Sequence, residues 1–259
     1  MQYINCKKYA QEILDAVKAV PNKKKLVILS VGDNPASQSY VKGKIKDCDY
    51  CGIPYEYIPC SETTLPWIIE NANQDSDVGG IIIQLPLPSG VDEKQYTDMV
   101  LITKDVDGFK HNSPFKPCTP EGIMYVLKKE LGDLTGKTAL VVGKGKLVGK
   151  PVAEMLLNEG VTVTIAHSKT ENLDNLMWLG QHDITITAVG KPNLVNLSDV
   201  WSDVVIDAGI TRNRFGKLCG DCCGENEWSK VTPVPGGIGL MTRAMLMAHV
   251  ARLDVNTIR

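Results

Sequence analysis

Segments built almost entirely of aliphatic residues recur along this chain, each followed by a stretch with helical periodicity. The strand candidates are Leu26–Val31, Tyr55–Pro59, Gly80–Leu85, Thr138–Val142, Val161–Ala166, Asp183–Ala188 and Val204–Ala208. Most are unbroken Val/Ile/Leu runs rather than alternating apolar and polar positions, the pattern of parallel strands covered on both faces. Helical patterns fill Ala36–Tyr50, Pro66–Gln74, Glu93–Val100, Thr119–Leu131, Lys150–Asn158 and Asn172–Gly180, with a further one in Met1–Val20 and a last apolar one in Met241–Leu253. This alternation predicts an α/β fold with parallel sheets and right-handed crossovers.

The chain has 259 residues, and at roughly 100–200 residues per domain that is one large domain or two modest ones. Gly108, Pro114, Pro117 and Pro120 break the pattern between Asp107 and Pro120, which predicts a boundary there. Charge is nearly balanced, 28 Lys+Arg against 30 Asp+Glu, so a broad basic surface for nucleic acid or membrane is excluded. Only 6% of residues are aromatic, too few for a base-stacking platform and a sign that aliphatic side chains fill the core. The longest apolar stretch, Gly79–Leu87, is interrupted by Gln84 and Pro86 and is too short to span a bilayer. No secretory leader is visible at Met1–Val20, and the expectation is a cytoplasmic protein.

Eight cysteines are the unusual count. Cys48-x-x-Cys51 and Cys219-x-x-Cys222 superficially offer zinc ligands, but a compact zinc module keeps its pairs within a few tens of residues, and these lie far apart. Free thiols in a reducing compartment, and no metal, are the expectation.

Leu140-Val-Val-Gly-Lys-Gly-Lys-Leu-Val-Gly-Lys-Pro places Gly143, Gly145 and Gly149 where a strand gives way to a helix. Such glycines permit a tight turn, close approach to a pyrophosphate and close helix packing, with the helix amides facing the anion. The spacing is one residue longer than the usual dinucleotide fingerprint, and a plain strand-to-helix turn is the competing reading. An NAD site usually carries an acid about 20 residues further on. Here the following strand ends in His167-Ser-Lys-Thr170 without one. Lys144, His167, Ser168 and Lys169 are instead placed to meet a 2′-phosphate, which favours NADP while leaving NAD open; the alternative for the lysines is ordinary solvation.

In the first half, Val31-Gly-Asp-Asn-Pro-Ala-Ser-Gln-Ser-Tyr-Val-Lys-Gly-Lys runs from a strand end into a helix, with Ser37 as a candidate cap. Tyr40 and Lys44 are then one turn apart on one face, near the strand ends where open α/β sheets bind ligands. An amine beside a phenol there is a general acid/base candidate, whereas Lys42 and Lys46 fall on other faces. Gln84 ends an apolar strand, as either a local turn bond or a ligand contact. Asp105 and Asp107 lie in a turn, where capping is the ordinary role.

Taken together these segments resemble the bifunctional methylenetetrahydrofolate dehydrogenase/cyclohydrolases. The resemblance rests on Gly32 to Lys46, Gln84-Leu-Pro-Leu-Pro, Asp105-Val-Asp-Gly-Phe, Pro117-Cys-Thr-Pro, Val148-Gly-Lys-Pro, His167-Ser-Lys-Thr and Thr232-Pro-Val-Pro-Gly-Gly-Ile-Gly, in order along nearly the whole chain. It implies a folate domain of residues 1–117 plus 240–259 and a Rossmann-like NAD(P) domain of residues 118–239. It further implies a folate cleft between them and a homodimer through the cofactor domains. The implied chemistry is oxidation of 5,10-methylenetetrahydrofolate to the methenyl cation with NADP, then hydrolysis to 10-formyltetrahydrofolate.

By the same resemblance Lys44 is the acid/base, Gln84 tunes it, Tyr40 packs on the folate ring and Asp107 binds the pterin edge. Leu85 joins Tyr40, Gln84 and Asp107 in the substrate site, and so does the loop with Pro235, Gly236 and Gly237, whose Val234–Pro235 bond is cis in the family. Gly143, Lys144, Gly145, Val148, Gly149, His167, Ser168 and Ile210 are the implied cofactor residues. The chain departs from the family in having Gly143-Lys-Gly for the usual Gly-Arg-Ser, Leu240 for a proline, and a short stretch from Asn112 to Pro117. Lysine for arginine weakens planar phosphate recognition. Two rivals stand beside this reading. A shikimate-type dehydrogenase lacks the Gln84-Leu-Pro-Leu-Pro segment, and a non-catalytic nucleotide sensor has no use for Lys44 and Gln84.

Overall fold

Strand β2 (Lys25–Val31) is a run of aliphatic and β-branched residues, and every side chain from Leu26 to Ser30 is buried. In the computed structural model, which describes residues 1–32, 34–171 and 182–258, β2 is the middle strand of a parallel sheet ordered β3–β2–β4. Its neighbours are β3 (Tyr55–Cys60) and β4 (Val78–Ile83). Val27, Leu29, Ile81 and Ile83 cluster with Leu65, Ile69 and Ala72 of α3 (Leu65–Gln74). Each fully buried Leu or Ile there contributes about 1.5–3 kcal/mol relative to exposure. Leu26, Ile28 and Ile82 alternate to the opposite face and are equally buried, as a doubly covered sheet requires.

Two ends of this layer are tied by side chains. Pro66 opens α3, where its missing N–H is no loss. At the other end the Lys104 ammonium donates to the carbonyls of Ala72, Asn73 and Asp75 at 2.7–2.8 Å, meeting the helix's orphan acceptors and its negative pole. The Asn73 amide donates to Met99 O (2.8 Å) and accepts from Leu101 N (2.9 Å), fixing the return of the chain after α4 (Glu93–Thr97).

The chain divides into two compact units, Gln11–Cys118 with Arg243–Arg259, and Met1–Ala10 with Thr119–Thr242. Helices α1 (Cys6–Ala19) and α7 (Ile238–Val250) each begin in one unit and continue in the other. The second unit carries a six-stranded, wholly parallel sheet ordered β1–β13–β9–β7–β5–β6. From β5 (Thr138–Val142) the chain passes through α6 (Gly149–Asn158) to β6 (Thr162–Ala166) on one side. It then returns to the other side of β5 as β7 (Ile184–Thr187), followed outward by β9 (Val204–Asp207). The reversal makes the β5/β7 junction the switch point where such sheets bind ligands. Leu140, Val142, Ala166, Val205 and Val231 pack with Val195, Leu197 and Val200 in its core.

The seven strand segments and the long helices read from sequence are present, with ends shifted by at most three residues except where noted here, and the larger sheets are parallel as expected. The pattern over Asn172–Gly180 lies outside the described residues. Three local expectations change. Met1–Val20 is not helical throughout, because β1 (Gln2–Tyr3) pairs with β13 (Lys230–Val231) before α1 begins. Tyr9 Oη then donates to Glu130 Oε1 (2.7 Å), which explains why the first ten residues group with the dinucleotide-type sheet, whereas the sequence reading placed them in the other domain. Ser37 does not cap a helix: α2 (Pro35–Cys51) already includes it in the first turn, and its buried hydroxyl has no hydrogen-bond partner among the described residues. The helix read over Glu93–Val100 stops at Thr97, with Asp92 accepting from Lys94 N at its start. The remaining strands, β8 (Val195–Asn196), β10 (Thr211–Arg212), β11 (Leu218–Cys219) and β12 (Cys222–Cys223), have two residues each, too short to show any period.

Lys104→Met removes three charge-assisted bonds at the end of α3 while keeping the aliphatic stem. We expect a loss of about 1.5–3 kcal/mol in urea unfolding.

Candidate active site

Gln84 follows the last residue of β4, and its backbone N–H donates to Leu29 O (2.8 Å), carrying the ladder one residue further. Alternation turns its side chain to the face of Leu26, Ile28 and Ile82. The side-chain amide donates from Nε2 to Leu85 O (2.7 Å), so Oε1 is the atom left to accept from Lys44 Nζ at 3.1 Å. Lys44 is only 7% exposed, in a helix where Lys42 and Lys46 are exposed as expected. An amide carbonyl orients this amine without neutralising it as a carboxylate partner would. The following Leu85–Pro86 bond is cis, and Leu85 is half-buried.

Asp107 is the acidic neighbour of this pair. Burial pushes its carboxyl above the usual carboxylate range; the Lys44 charge pulls it back and Asp105 adds to the rise. Asp105 itself is occupied in the turn, accepting from Phe109 N (3.2 Å) and Lys110 N (2.9 Å). Tyr40 lies one turn before Lys44 on α2; burial raises its phenol, and the Arg243 guanidinium opposes that rise. Arg243 pairs with the buried Asp47 of α2, Nε to Oδ2 at 2.8 Å. It crosses α2 at Gly43, where an added Cβ would collide with the guanidinium. The sequence reading missed this pair, although a glycine within a helical pattern was the available signal.

In the other unit, Gly143 opens the turn after β5 with φ +117°, and a Cβ there would collide with the Ala188 carbonyl that follows β7. Gly149 opens α6, and a Cβ there would collide with the Gly143 carbonyl. The chain itself demands both glycines. It does not demand Gly145, whose missing Cβ would point into open space, the room that close backbone approach of a pyrophosphate needs. Among the first amides of α6, which has no side-chain cap at Val148, Lys150 N already donates to Gly145 O (3.0 Å) and Pro151 has no N–H to give. Lys144 is exposed beside them. After β6, His167 Nδ1 accepts from Lys169 N (3.1 Å) and Thr170 Oγ1 accepts from His167 N (2.9 Å), a tight turn that leaves Ser168 and Lys169 exposed. Ile210 follows β9 and is 42% exposed. These features fit a dinucleotide.

The loop after Thr232 also lies in this unit. Val234–Pro235 is cis there, Pro235 and Gly236 are exposed, and Gly237 is buried against Pro233 O. The Cys48–Cys51 pair is buried in the core. Cys48 contacts Met247 Sδ (3.6 Å), and burial pushes the Cys48 and Cys51 thiols up to about 12, away from the thiolate a ligand needs. Among the described residues no three His, Cys, Asp or Glu side chains gather as a metal site, and no helix is long and apolar enough to cross a membrane.

Residues 4–107 match the family described as tetrahydrofolate dehydrogenase/cyclohydrolase, catalytic domain, and residues 117–257 match the NAD(P)-binding domain of the same family. The bifunctional protein FolD of Agathobacter rectalis is 44% identical, over 86% of each chain. The solved FolD methylenetetrahydrofolate dehydrogenase/cyclohydrolase from Campylobacter jejuni superposes with a TM-score of 0.88 at 36% identity, over 96% of each chain. The Trypanosoma brucei methylenetetrahydrofolate dehydrogenase-cyclohydrolase, solved with NADP and an inhibitor, gives 0.85 at 26% identity, over 96% of this chain and 95% of that one.

Two outcomes follow from the geometry. Gly145→Ala leaves the melting temperature within a degree or so of wild type yet weakens NADPH binding about tenfold, read by nicotinamide fluorescence, because only the ligand meets the new methyl. Asp107→Asn removes a half-buried charge that the folded state disfavours above the unfolded carboxyl's value near 3.8. Each 1 kcal/mol so gained raises the melting temperature by about 2–4 °C at pH 7, and the gain fades as pH falls toward 3.8 in thermal melts.

Proposed function

Because the chain belongs to the tetrahydrofolate dehydrogenase/cyclohydrolase family, we propose that Lys44, oriented by Gln84, carries the hydrolytic half of its chemistry and that the Gly143–Gly149 loop holds NADP for the oxidative half. The enzyme oxidises 5,10-methylenetetrahydrofolate to the 5,10-methenyl cation and hydrolyses that cation to 10-formyltetrahydrofolate. The buried 3.1 Å contact between Lys44 Nζ and Gln84 Oε1 is the observation that carries the assignment of the hydrolysis.

In the oxidation, bound NADP supplies the hydride acceptor for the folate methylene. No side chain has to act as nucleophile in that step; the protein's part is to hold the reacting centres in line. Tyr40 packs on the folate ring, Asp107 meets the polar edge of the pterin, and Leu85 completes the substrate contacts of this unit. In the hydrolysis, water adds to the methenyl carbon as Lys44 takes one of its protons. The C–N5 bond then breaks as N5 receives a proton from Lys44. The second water proton is released as the formyl C=O forms, so the reaction yields one proton overall.

NADP over NAD is supported by what stands directly after β6: no acid within His167–Thr170, and exposed Ser168 and Lys169 with Lys144 on the neighbouring loop. We also read the enzyme as a cytoplasmic homodimer. Among the described residues no disulfide joins the cysteines, as a reducing compartment keeps them. Trp201 and Trp228 stack at 4.8 Å while 64% and 53% exposed on the cofactor unit, apolar area that a second copy can cover.

Lys44→Met tests the central assignment. Hydrolysis of methenyltetrahydrofolate should fall about 10²–10⁴-fold, with the NADP-dependent oxidation keeping most of its rate, both followed by methenyl and NADPH absorbance. Equal loss of both at unchanged folate affinity would overturn the acid/base role. Wild type without turnover on either cofactor would overturn the whole reading.

A further inference from the structure

Two buried carboxylates at the carboxyl edge of the cofactor sheet take no part in the chemistry above. Asp207 ends β9 at 4% exposure, and Asp221 lies in the loop before β12 at 0%. Asp207 Oδ1 accepts from Gly209 N (3.0 Å), Asp221 N (3.0 Å) and Thr187 Oγ1 (3.2 Å), and its Oδ2 accepts from Cys222 N (2.9 Å). Asp221 Oδ2 accepts from Val189 N and its Oδ1 from Lys191 N, each at 2.7 Å. The loop after β7 thus wraps its amides around the Asp221 carboxylate, with Gly190 at φ +77° making the bend.

The arrangement is reciprocal. A Cβ on Gly209 would collide with the Asp221 carboxylate, and a Cβ on Gly220 with that of Asp207. Asp207 N in turn donates to Thr232 Oγ1 (2.8 Å), at the root of the loop that holds Pro235 to Gly237. Burial pushes the Asp221 carboxyl up, and the Val189 and Lys191 amides hold it down.

The place of this clasp decides its meaning. The adenine-side ribose of a dinucleotide lies at the end of the second strand of the fold, here β6. Across the switch point, the nicotinamide half therefore lies over β7 and β9, bordered by the loops Ala188–Lys191 and Ala208–Ile210. We propose that Asp207 and Asp221 are positioning residues for nicotinamide: their carboxylates set the shape of both loops before the dinucleotide arrives. The proposal rests on dinucleotide binding by this unit, and it assigns neither residue any contact with the ligand.

Asp221→Asn keeps the shape but sets an N–H against one of the two loop amides. Displacement of a reacting group by about 1 Å costs on the order of 10²-fold, so KM for NADP should rise about ten- to a hundredfold in the dehydrogenase assay. Methenyl hydrolysis, which needs no dinucleotide, should stay within about twofold, and this assay separates the outcome from failure of the family reading. An unchanged KM, or parallel loss of both activities, overturns the proposal. Amide exchange on the wild-type enzyme gives a second test that no variant has to survive. The Val189 and Lys191 amides should exchange slowly without NADP, although Val189 is 47% exposed. Fast exchange that slows only when NADP is added would show that the ligand, not the clasp, orders the loop.

Discussion

Parallel strand pairing governs what the rest of this molecule can do. A parallel sheet needs long connections that return every strand in the same direction, so all the carboxyl ends collect on one edge. In the smaller sheet that edge receives Gln84 at the end of β4 and, from the helix that follows β2, Lys44. In the larger sheet it receives the Gly143 turn, the Ala188 turn and Asp207, at the ends of β5, β7 and β9. The apolar interior of each sheet leaves these edge positions free to carry polar residues.

Polar groups buried at such an edge must be answered, and the two units answer them in the same way. Lys44 is met by an amide oxygen, whose own N–H₂ is spent on a backbone carbonyl. Asp207 and Asp221 are met mainly by backbone N–H groups. A buried charge held by neutral dipoles is stabilised against desolvation while its local geometry is set by the main chain, which is more rigid than a long side-chain partner. That is a means of placing chemistry accurately on loops.

Much of this was legible beforehand. The unbroken aliphatic runs marked β2, β4, β5 and β9 because burial on both faces leaves no other composition, whereas β6 and β7 alternate threonine with Val or Ile. The glycine loop was readable because Gly143 and Gly149 answer to local backbone approach. Lys44 and Gln84 are forty residues apart, and the spacing of neither implies the other. Their pairing was reached through resemblance to a family rather than through physics. The Asp207–Asp221 clasp, the Arg243–Asp47 pair and the two-residue strands were not seen. Each depends on a partner distant in sequence, with no periodicity of its own to reveal it.

The amino-acid sequence by itself determined the alternating α/β order, the parallel sheets and the positions where glycine was indispensable to a turn. These follow from side-chain periodicity and backbone sterics, which are local. Only the tertiary structure decided that the first ten residues join the cofactor unit, that Ser37 lies inside its helix, and which buried lysine and carboxylates are held by which dipoles. Those outcomes depend on which distant groups remain unsatisfied after the sheets form, and hydrogen-bond satisfaction is a property of the assembled edge.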